Sequence, residues 1–216
     1  MNRTDVAWAL GRPTIGTLTR LVAPLRVYGA ERVPATGGLV VAANHFSWID
    51  PPALGAACPR TLYYMAKVEA HRIPGLGELM RSFGTFAVRR GESDRDAVRT
   101  MRGLVREGNA LGLFVEGTRQ RSGVPGHVQP GAAMVAITEG VPVIPAAIHG
   151  SETWRLGNFA PVSVAWGEPF ELVGFPAGGR GYKQASLALE AKLRELWEWL
   201  RTVHELGRPR GAVPPR

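Results

Sequence analysis

Short apolar runs that alternate with helical stretches constrain this chain more than any other feature. "RVYGAE", "GLVVAAN" (38–44), "TLYYMAK" (61–67), "ALGLF", "VPVIPAAIHG" and "PVSVAWGEP" read as strands. Between them lie helical patterns. One runs from Pro51 to about Ala57, one lies around 75–83, and one covers 130–140. The clearest is amphipathic and spans 93–108, with Ser93 as its cap, Asp94 and Asp96 in its first turn and Gly108 at its end. A long C-terminal helix carries Leu189, Leu193, Leu196, Leu200 and Val203 at helical spacing. This order predicts an α/β fold with a central, mostly parallel sheet flanked by helices. Residues 4–22 add an N-terminal helical segment, which Pro13 either kinks or divides in two. One domain is expected over 1–206, and "GRPRGAVPPR", 207–216, reads as a disordered tail.

In such sheets ligands collect beyond the carboxyl ends of the strands. Those ends carry His45 and Asp50, then Lys67, then Glu116, Thr118 and Arg119, then His149. Within "VVAANHFSWIDPP", His45 can act as a base near neutral pH if its second nitrogen is held. Asp50 can fold back to hold it. Asp50 can equally cap the helix that Pro51 opens, and two oxygens allow both tasks. "GTFAVRR", Gly84 to Arg90, offers adjacent arginines that either clamp a phosphate or form a solvated basic loop. In "FVEGTRQ", Gly117 lets backbone approach a ligand and Arg119 can meet an anion. The plainer alternative is a polar turn with Glu116 paired to an arginine such as Arg90 or Arg119. Pro142 and Pro145 argue against a central strand with full ladder pairing, and 141–150 reads as lining a wall more than as doing chemistry.

A formal net charge of +8 over 216 residues favours anionic partners: a membrane surface, a phosphorylated substrate or nucleic acid. Nucleic acid is the weakest of these, because no binding module or aromatic-interleaved basic patch is present. The single cysteine, Cys58, excludes an intrachain disulfide and makes a reducing compartment the default. The start lacks signal-peptide character, and no run approaches the ~18 apolar residues of a spanning helix. Gly-x-Ser-x-Gly, His-Glu-x-x-His and Gly-x-x-x-x-Gly-Lys are all missing, against a serine hydrolase, a zinc site and a nucleotide loop.

Taken in order, these stretches resemble the glycerolipid acyltransferase family. Its first block, Asn-His-x-Ser-x-x-Asp, corresponds to Asn44, His45, Ser47 and Asp50. Its second, a glycine with an arginine six residues on, corresponds to Gly84 and Arg90. Its third, Phe-Pro-Glu-Gly-Thr-Arg-Ser, appears as "FVEGTRQ", with Val115 and Gln120 departing from the pattern. Its fourth is the Val-Pro-Val-Ile-Pro stretch 141–145, and "YMAKVE", with Lys67, looks like the segment between its first two blocks. A basic residue often precedes the glycine that here follows Gln129 and Pro130. The likeness covers roughly Leu21 to Trp166.

The resemblance implies an O-acyltransferase that moves a fatty acyl group from acyl-CoA or acyl-carrier protein to a lysophospholipid. The first-choice acceptor is 1-acylglycerol-3-phosphate. It implies a His45–Asp50 base and an acceptor-phosphate region of Arg90, Glu116, Gly117, Thr118 and Arg119. Asn44, Ser47, Lys67 and Gly84 would support them, and no cofactor is implied. Lipid substrates imply a cytoplasmic protein on the inner face of a membrane. Residues 1–22 are the candidate contact, with Trp8, Leu10, Ile15, Leu18, Leu21 and Val22 apolar and Arg3, Arg12 and Arg20 towards anionic headgroups. The same segment can instead serve only to pack on the sheet. Another lipid or polar acceptor, or a non-catalytic lipid- or nucleic-acid-binding protein, are the competing readings.

Overall fold

A computed structural model describes residues 3–88 and 95–216. In chain order the elements are α1 (Arg3–Val22), β1 (Leu25–Tyr28), a 3-10 turn (Ala30–Arg32), β2 (Leu39–Ala43), α2 (Asp50–Ala57), β3 (Leu62–Lys67), α3 (Val68–His71) and α4 (Leu76–Ser82). They continue with β4 (Thr85–Val88), α5 (Arg95–Arg106), β5 (Ala110–Phe114), α6 (Gly131–Glu139), β6 (Val143–His149), β7 (Val162–Trp166) and α7 (Gly179–Glu205). Seven strands form one sheet in the order β1-β7-β6-β2-β5-β3-β4. Every neighbouring pair is parallel except β6 and β7. Strands β2 to β6 therefore run one way, and β1 and β7 run the other. The expected mostly parallel α/β sheet with an N-terminal helix is present.

Strand β2 lies at the centre and is buried throughout. Its alternate residues feed two different cores, as the period-2 geometry of a strand requires. Leu39, Val41 and Ala43 join Ala53 and Leu54 of α2 and Trp8 of α1 on one face. Val40 and Ala42 join Met101 of α5, Ala136 of α6 and Leu189 of α7 on the other. The leucine row of α7 is buried along its length, each side chain contributing about 2 kcal/mol by removal from water.

Four sequence expectations change. "GTFAVRR" is more than a loop, because Thr85–Val88 forms edge strand β4 paired with β3. Pro145 sits inside an interior strand rather than a wall segment. The Val40 N–H donates to Pro142 O, so by alternation the nitrogen of Pro145 faces β7 and costs the β2 ladder nothing. Pairing with β7 starts only at Ala146, and Gly167 stands beside the proline ring. A Cβ on Gly167 would lie 2.6 Å from the Pro145 ring. Residues 207–216 form no helix or strand, yet they are held. Arg32 donates to Pro214 O and Pro215 O at 2.7 Å each while its Nε meets Glu168 at 3.1 Å. Finally, Trp8 is not an exposed interfacial aromatic. It is buried, donates to Phe83 O at 3.1 Å and meets the Phe83 ring edge-on. Pro13 lies within a single α1. Ser93 and Asp94, read as the start of the helix that is α5, lie outside the described residues.

Candidate active site

Strand β2 ends in Asn44 and His45, and the backbone there is pinned from both sides. The Asn44 amide bonds Ile148 of β6 twice, donating to its O at 2.9 Å and accepting from its N–H at 2.8 Å. On the β5 side, the His45 N–H donates to Glu116 Oε2 at 2.8 Å, and the Gln120 N–H donates to His45 O at 2.7 Å. Neighbouring strand ends thus fix where the imidazole begins.

Asp50 fixes its orientation. One oxygen, Oδ2, lies 2.8 Å from His45 Nδ1 and accepts the N–H groups of Phe46 at 2.6 Å and Ser47 at 2.7 Å. The carboxyl is fully buried. It is not the helix cap that the sequence allowed. Ile49 holds the N-cap position without a side-chain bond, and Asp50 is the first helical residue. The carboxylate turns back because three donors of the preceding turn converge on it, and its place in the first turn of α2 suits a negative charge. An ionised Asp50 makes Nδ1 the protonated nitrogen and leaves the lone pair on Nε2.

The ring stacks on Phe114, with centroids 4.1 Å apart. It lines a cavity of about 530 Å³ together with Trp48, Tyr64, Met80, Phe114, Thr118 and Arg119. Tyr64, Met80, Pro51 and Thr85 also border a second cavity of about 230 Å³, walled by Trp8, Gly16 and Gly55 and almost wholly apolar. A basin of about 450 Å³ lies on the other side, lined by Ser47, Trp48, Arg119, Arg121, Trp154 and Arg155 among others. His45 therefore lines a central cavity that shares Tyr64 and Met80 with the apolar recess and Trp48, Arg119 and Arg121 with the basic basin.

Glu116 plays a different part from the one its neighbours suggested. It is buried, and its oxygens accept the N–H groups of His45 and of Gly126, the latter at 2.9 Å. Burial pushes its carboxyl up to about 7, against the pull of those two bonds and helped by the nearby Asp50 charge. Among the described residues it pairs with no arginine, Arg90 lying outside them, and it clamps the His45 backbone to the loop after β5. Gly117, at φ 74, turns the chain so that Thr118 and Arg119 reach the cavity. Gly84 takes a left-handed conformation (φ 77) between α4 and β4. Arg90 lies outside the described residues, as does the side chain of Lys67, whose backbone ends β3.

His149 does not join the site. It ends β6 but packs edge-on against Trp197 and His204, and Glu152 Oε1 lies 3.8 Å from its Nε2. Sequence reasoning passed over Phe114, Trp48, Arg121, Trp154, Arg155 and the Gly126 N–H. Trp48 and Arg121 stand within or beside the recognised stretches and were open to notice. Trp154, Arg155 and Gly126 reach the site through loops whose path the sequence does not declare.

An imidazole held by a buried carboxylate at the end of the central strand, lining a cavity that adjoins an apolar recess and a basic basin, has the geometry of a candidate general base. Residues 24–149 match the family model described as Acyltransferase, and the chain belongs to that family. It is an O-acyltransferase. It is 30% identical over 176 residues to the 1-acyl-sn-glycerol-3-phosphate acyltransferase of Bacillus subtilis, covering 80% of this chain and 87% of the relative. A lyso-ornithine lipid O-acyltransferase of Pseudomonas aeruginosa is 36% identical over 151 residues, which are 67% of this chain and 56% of that protein. The crystal structure of the 1-acyl-sn-glycerophosphate (LPA) acyltransferase PlsC from Thermotoga maritima matches with a TM-score of 0.67 at 25% identity, over 86% of this chain and 79% of that one.

Proposed function

We propose that the chain transfers a fatty acyl group from a thioester, carried on coenzyme A or acyl-carrier protein, to the free hydroxyl of 1-acylglycerol-3-phosphate, giving phosphatidic acid. The observation that carries this is the His45 Nδ1–Asp50 Oδ2 contact of 2.8 Å on a ring that lines the central cavity. His45 Nε2 takes the proton of the acceptor hydroxyl as its oxygen attacks the thioester carbonyl. Asp50 holds the tautomer and stabilises the imidazolium that forms. The carbon–sulfur bond then breaks, and the departing thiolate receives the proton from Nε2. No covalent enzyme intermediate is needed.

The apolar recess beyond Tyr64 gives a fatty chain room out of water. Arg119 at the cavity mouth, with Arg90 by its place in the sequence, would meet the acceptor phosphate through a planar fork. The B. subtilis relative's name supports this acceptor. The P. aeruginosa relative's name favours a second reading, in which the same base serves a different lysolipid. Among the described residues no helix is long and apolar enough to cross a membrane. The enzyme would work as a peripheral protein on the anionic inner face of a membrane.

A matrix of donors against acceptors, read by product mass, tests the assignment. The expected result is a diacyl phospholipid from 1-acylglycerol-3-phosphate with at least one of the two carriers. Turnover confined to phosphate-free lysolipids would move the assignment to the second reading. No turnover with any lysolipid would sink both.

A further inference from the structure

The single antiparallel junction in the sheet has a spatial consequence. Because β1 and β7 run against the other strands, their first residues lie at the edge where β2, β5 and β6 end. The last turn of α1, which leads into β1, and the loop 150–161, which leads into β7, therefore both arrive at the end of the sheet that carries His45. Trp154 ties the two together by donating its indole N–H to Val22 O at 2.9 Å, and it meets Trp48 edge-on at 4.9 Å.

What these two segments display is unusual. Leu18 and Leu21 of α1 are 61% and 64% exposed, and Leu156 and Phe159 of the loop are 75% and 58% exposed. Phe159 has φ 51, a conformation that a bulky side chain adopts only at a cost. The loop is nonetheless built to hold it. Asn158 Oδ1 accepts the N–H groups of Arg155 at 3.0 Å and Ala160 at 3.1 Å, and its Nδ2 donates to Thr153 O at 2.9 Å. Arg155 uses one guanidinium nitrogen, Nη1, to bond Glu152 O and Trp154 O. A loop stiffened in this way holds a phenylalanine towards solvent at a backbone cost, as a surface made for apolar contact would. Arg155 and Arg20 beside these apolar tips, in a chain of net charge +8, select a partner with negative charge.

We propose that the 154–160 loop seats Leu156 and Phe159 in the headgroup–acyl boundary of an anionic bilayer, alongside Leu18 and Leu21, so that the basin mouth opens onto the lipid. The proposal rests on the lipid-acceptor reading for its purpose, not for its geometry. It makes the loop a membrane contact independent of the rest of α1.

The test uses the full chain and the variants Phe159→Asn, Leu156→Asn and the double. Asparagine tolerates the left-handed region, so Phe159→Asn relieves strain and the fold holds or gains in thermal melting. Binding is measured by co-sedimentation with vesicles of phosphatidylcholine alone and with added phosphatidylglycerol. Each single change should weaken binding to anionic vesicles about tenfold, with the double weaker still. Turnover of a short-chain, water-soluble lysolipid should stay within twofold of the parent. A Phe159→Trp variant should show a blue-shifted emission on adding anionic vesicles.

Unchanged vesicle binding by the double variant would overturn the proposal. So would a parent chain that ignores anionic vesicles. Concentration-dependent self-association that the double variant abolishes would give the patch to a second copy of this chain instead. If no lysolipid is ever acylated but the vesicle effect appears, the acceptor reading falls and the membrane contact stands.

Discussion

Three histidines among the described residues meet a carboxylate: His127 does so on the surface with Glu190, and of the two inner pairs, at the ends of β2 and β6, only the first has the geometry proposed for a base. At the end of β2, His45 Nδ1 lies 2.8 Å from a carboxylate oxygen that two backbone N–H groups also hold, and the ring lines a cavity. At the end of β6, His149 is 3.8 Å from Glu152, and its Nδ1 and Glu152 Oε2 are buried without a hydrogen-bond partner among the described residues. Burial, foremost, holds the His149 imidazole below its ordinary pKa, and raises the Glu152 carboxyl above its own. Burial thus favours the neutral form of each member of this pair, and Glu152 itself borders the basin. Residue types alone do not make a catalytic pair. A base needs one nitrogen fixed by an ionised partner and the other facing a space that substrate can fill.

The largest test of this contrast is removal of each histidine. His45→Ala should lower kcat by about a thousandfold while the melting temperature changes little, since general-base groups are worth roughly 10²–10⁴. His149→Gln should leave kcat within about threefold and cost stability instead, on the order of 1 kcal/mol. A reversed pattern would mean that the wrong histidine has been assigned. Next in size is Asp50→Asn. Its amide oxygen can still accept from the Phe46 and Ser47 N–H groups, but the imidazolium loses its counter-charge, and kcat should fall about a hundredfold or more. Wild-type turnover in this variant would reduce Asp50 to a turn anchor.

A smaller effect separates the anion contact from the base. Arg119→Lys should lower kcat/KM for a phosphorylated acceptor about tenfold, because lysine lacks the planar fork, and should leave a phosphate-free lysolipid nearly unaffected. Equal losses on both acceptors would give Arg119 a structural role.

The smallest effects appear in stability against pH, where the two regions pull in opposite directions. Glu116 keeps its proton up to about pH 7 in the folded chain, against an ordinary value of 4.5, so between these the folded state holds more protons and stability falls as pH rises. His204, which packs on His149 and bonds Ser163 at 2.9 Å, is held down to about 4 by burial first and by His149 and Arg208 after it, against an ordinary 6.5. In that window the unfolded chain holds more protons, and stability rises with pH. Over the shared range the two slopes oppose. The stability of Glu116→Gln relative to the parent should climb from pH 4.5 to 7, whereas that of His204→Asn should decline from pH 4 to 6.5. Denaturant melts at four or five pH values decide it, and parallel curves for all three proteins would remove both assignments.

The sequence carried the sheet class because strand and helix periodicities are local and strong. It carried the His45–Asp50 pairing because only five residues separate the two groups. It did not carry the task of Glu116, whose two partners come from different loops, one of them reached through Gly126. Pro145 misled for a related reason. A proline weakens a strand only on the side its nitrogen faces, and that side is set by β7 and Gly167 far along the chain. The tail misled by composition: its prolines and glycines form no helix or strand, but the Pro214 and Pro215 carbonyls meet the half-buried Arg32. Trp154 and Arg155 reach the basin only because β7 reverses direction.

That reversal also sets a timetable for folding. Strand β1 is translated well before β7, yet β7 is its one neighbour in the sheet. Strands β2, β3, β4 and β5 can pair among themselves long before β7 emerges. Strand β1 must wait, with Leu25 and Val27 unpacked, until β7 has been added beyond β6. Pairings this distant in sequence close slowly and leave apolar surface open to aggregation in the interval. Given the membrane contact proposed above, synthesis beside a bilayer would shelter this strand before it meets its own sheet and so favour the folding yield.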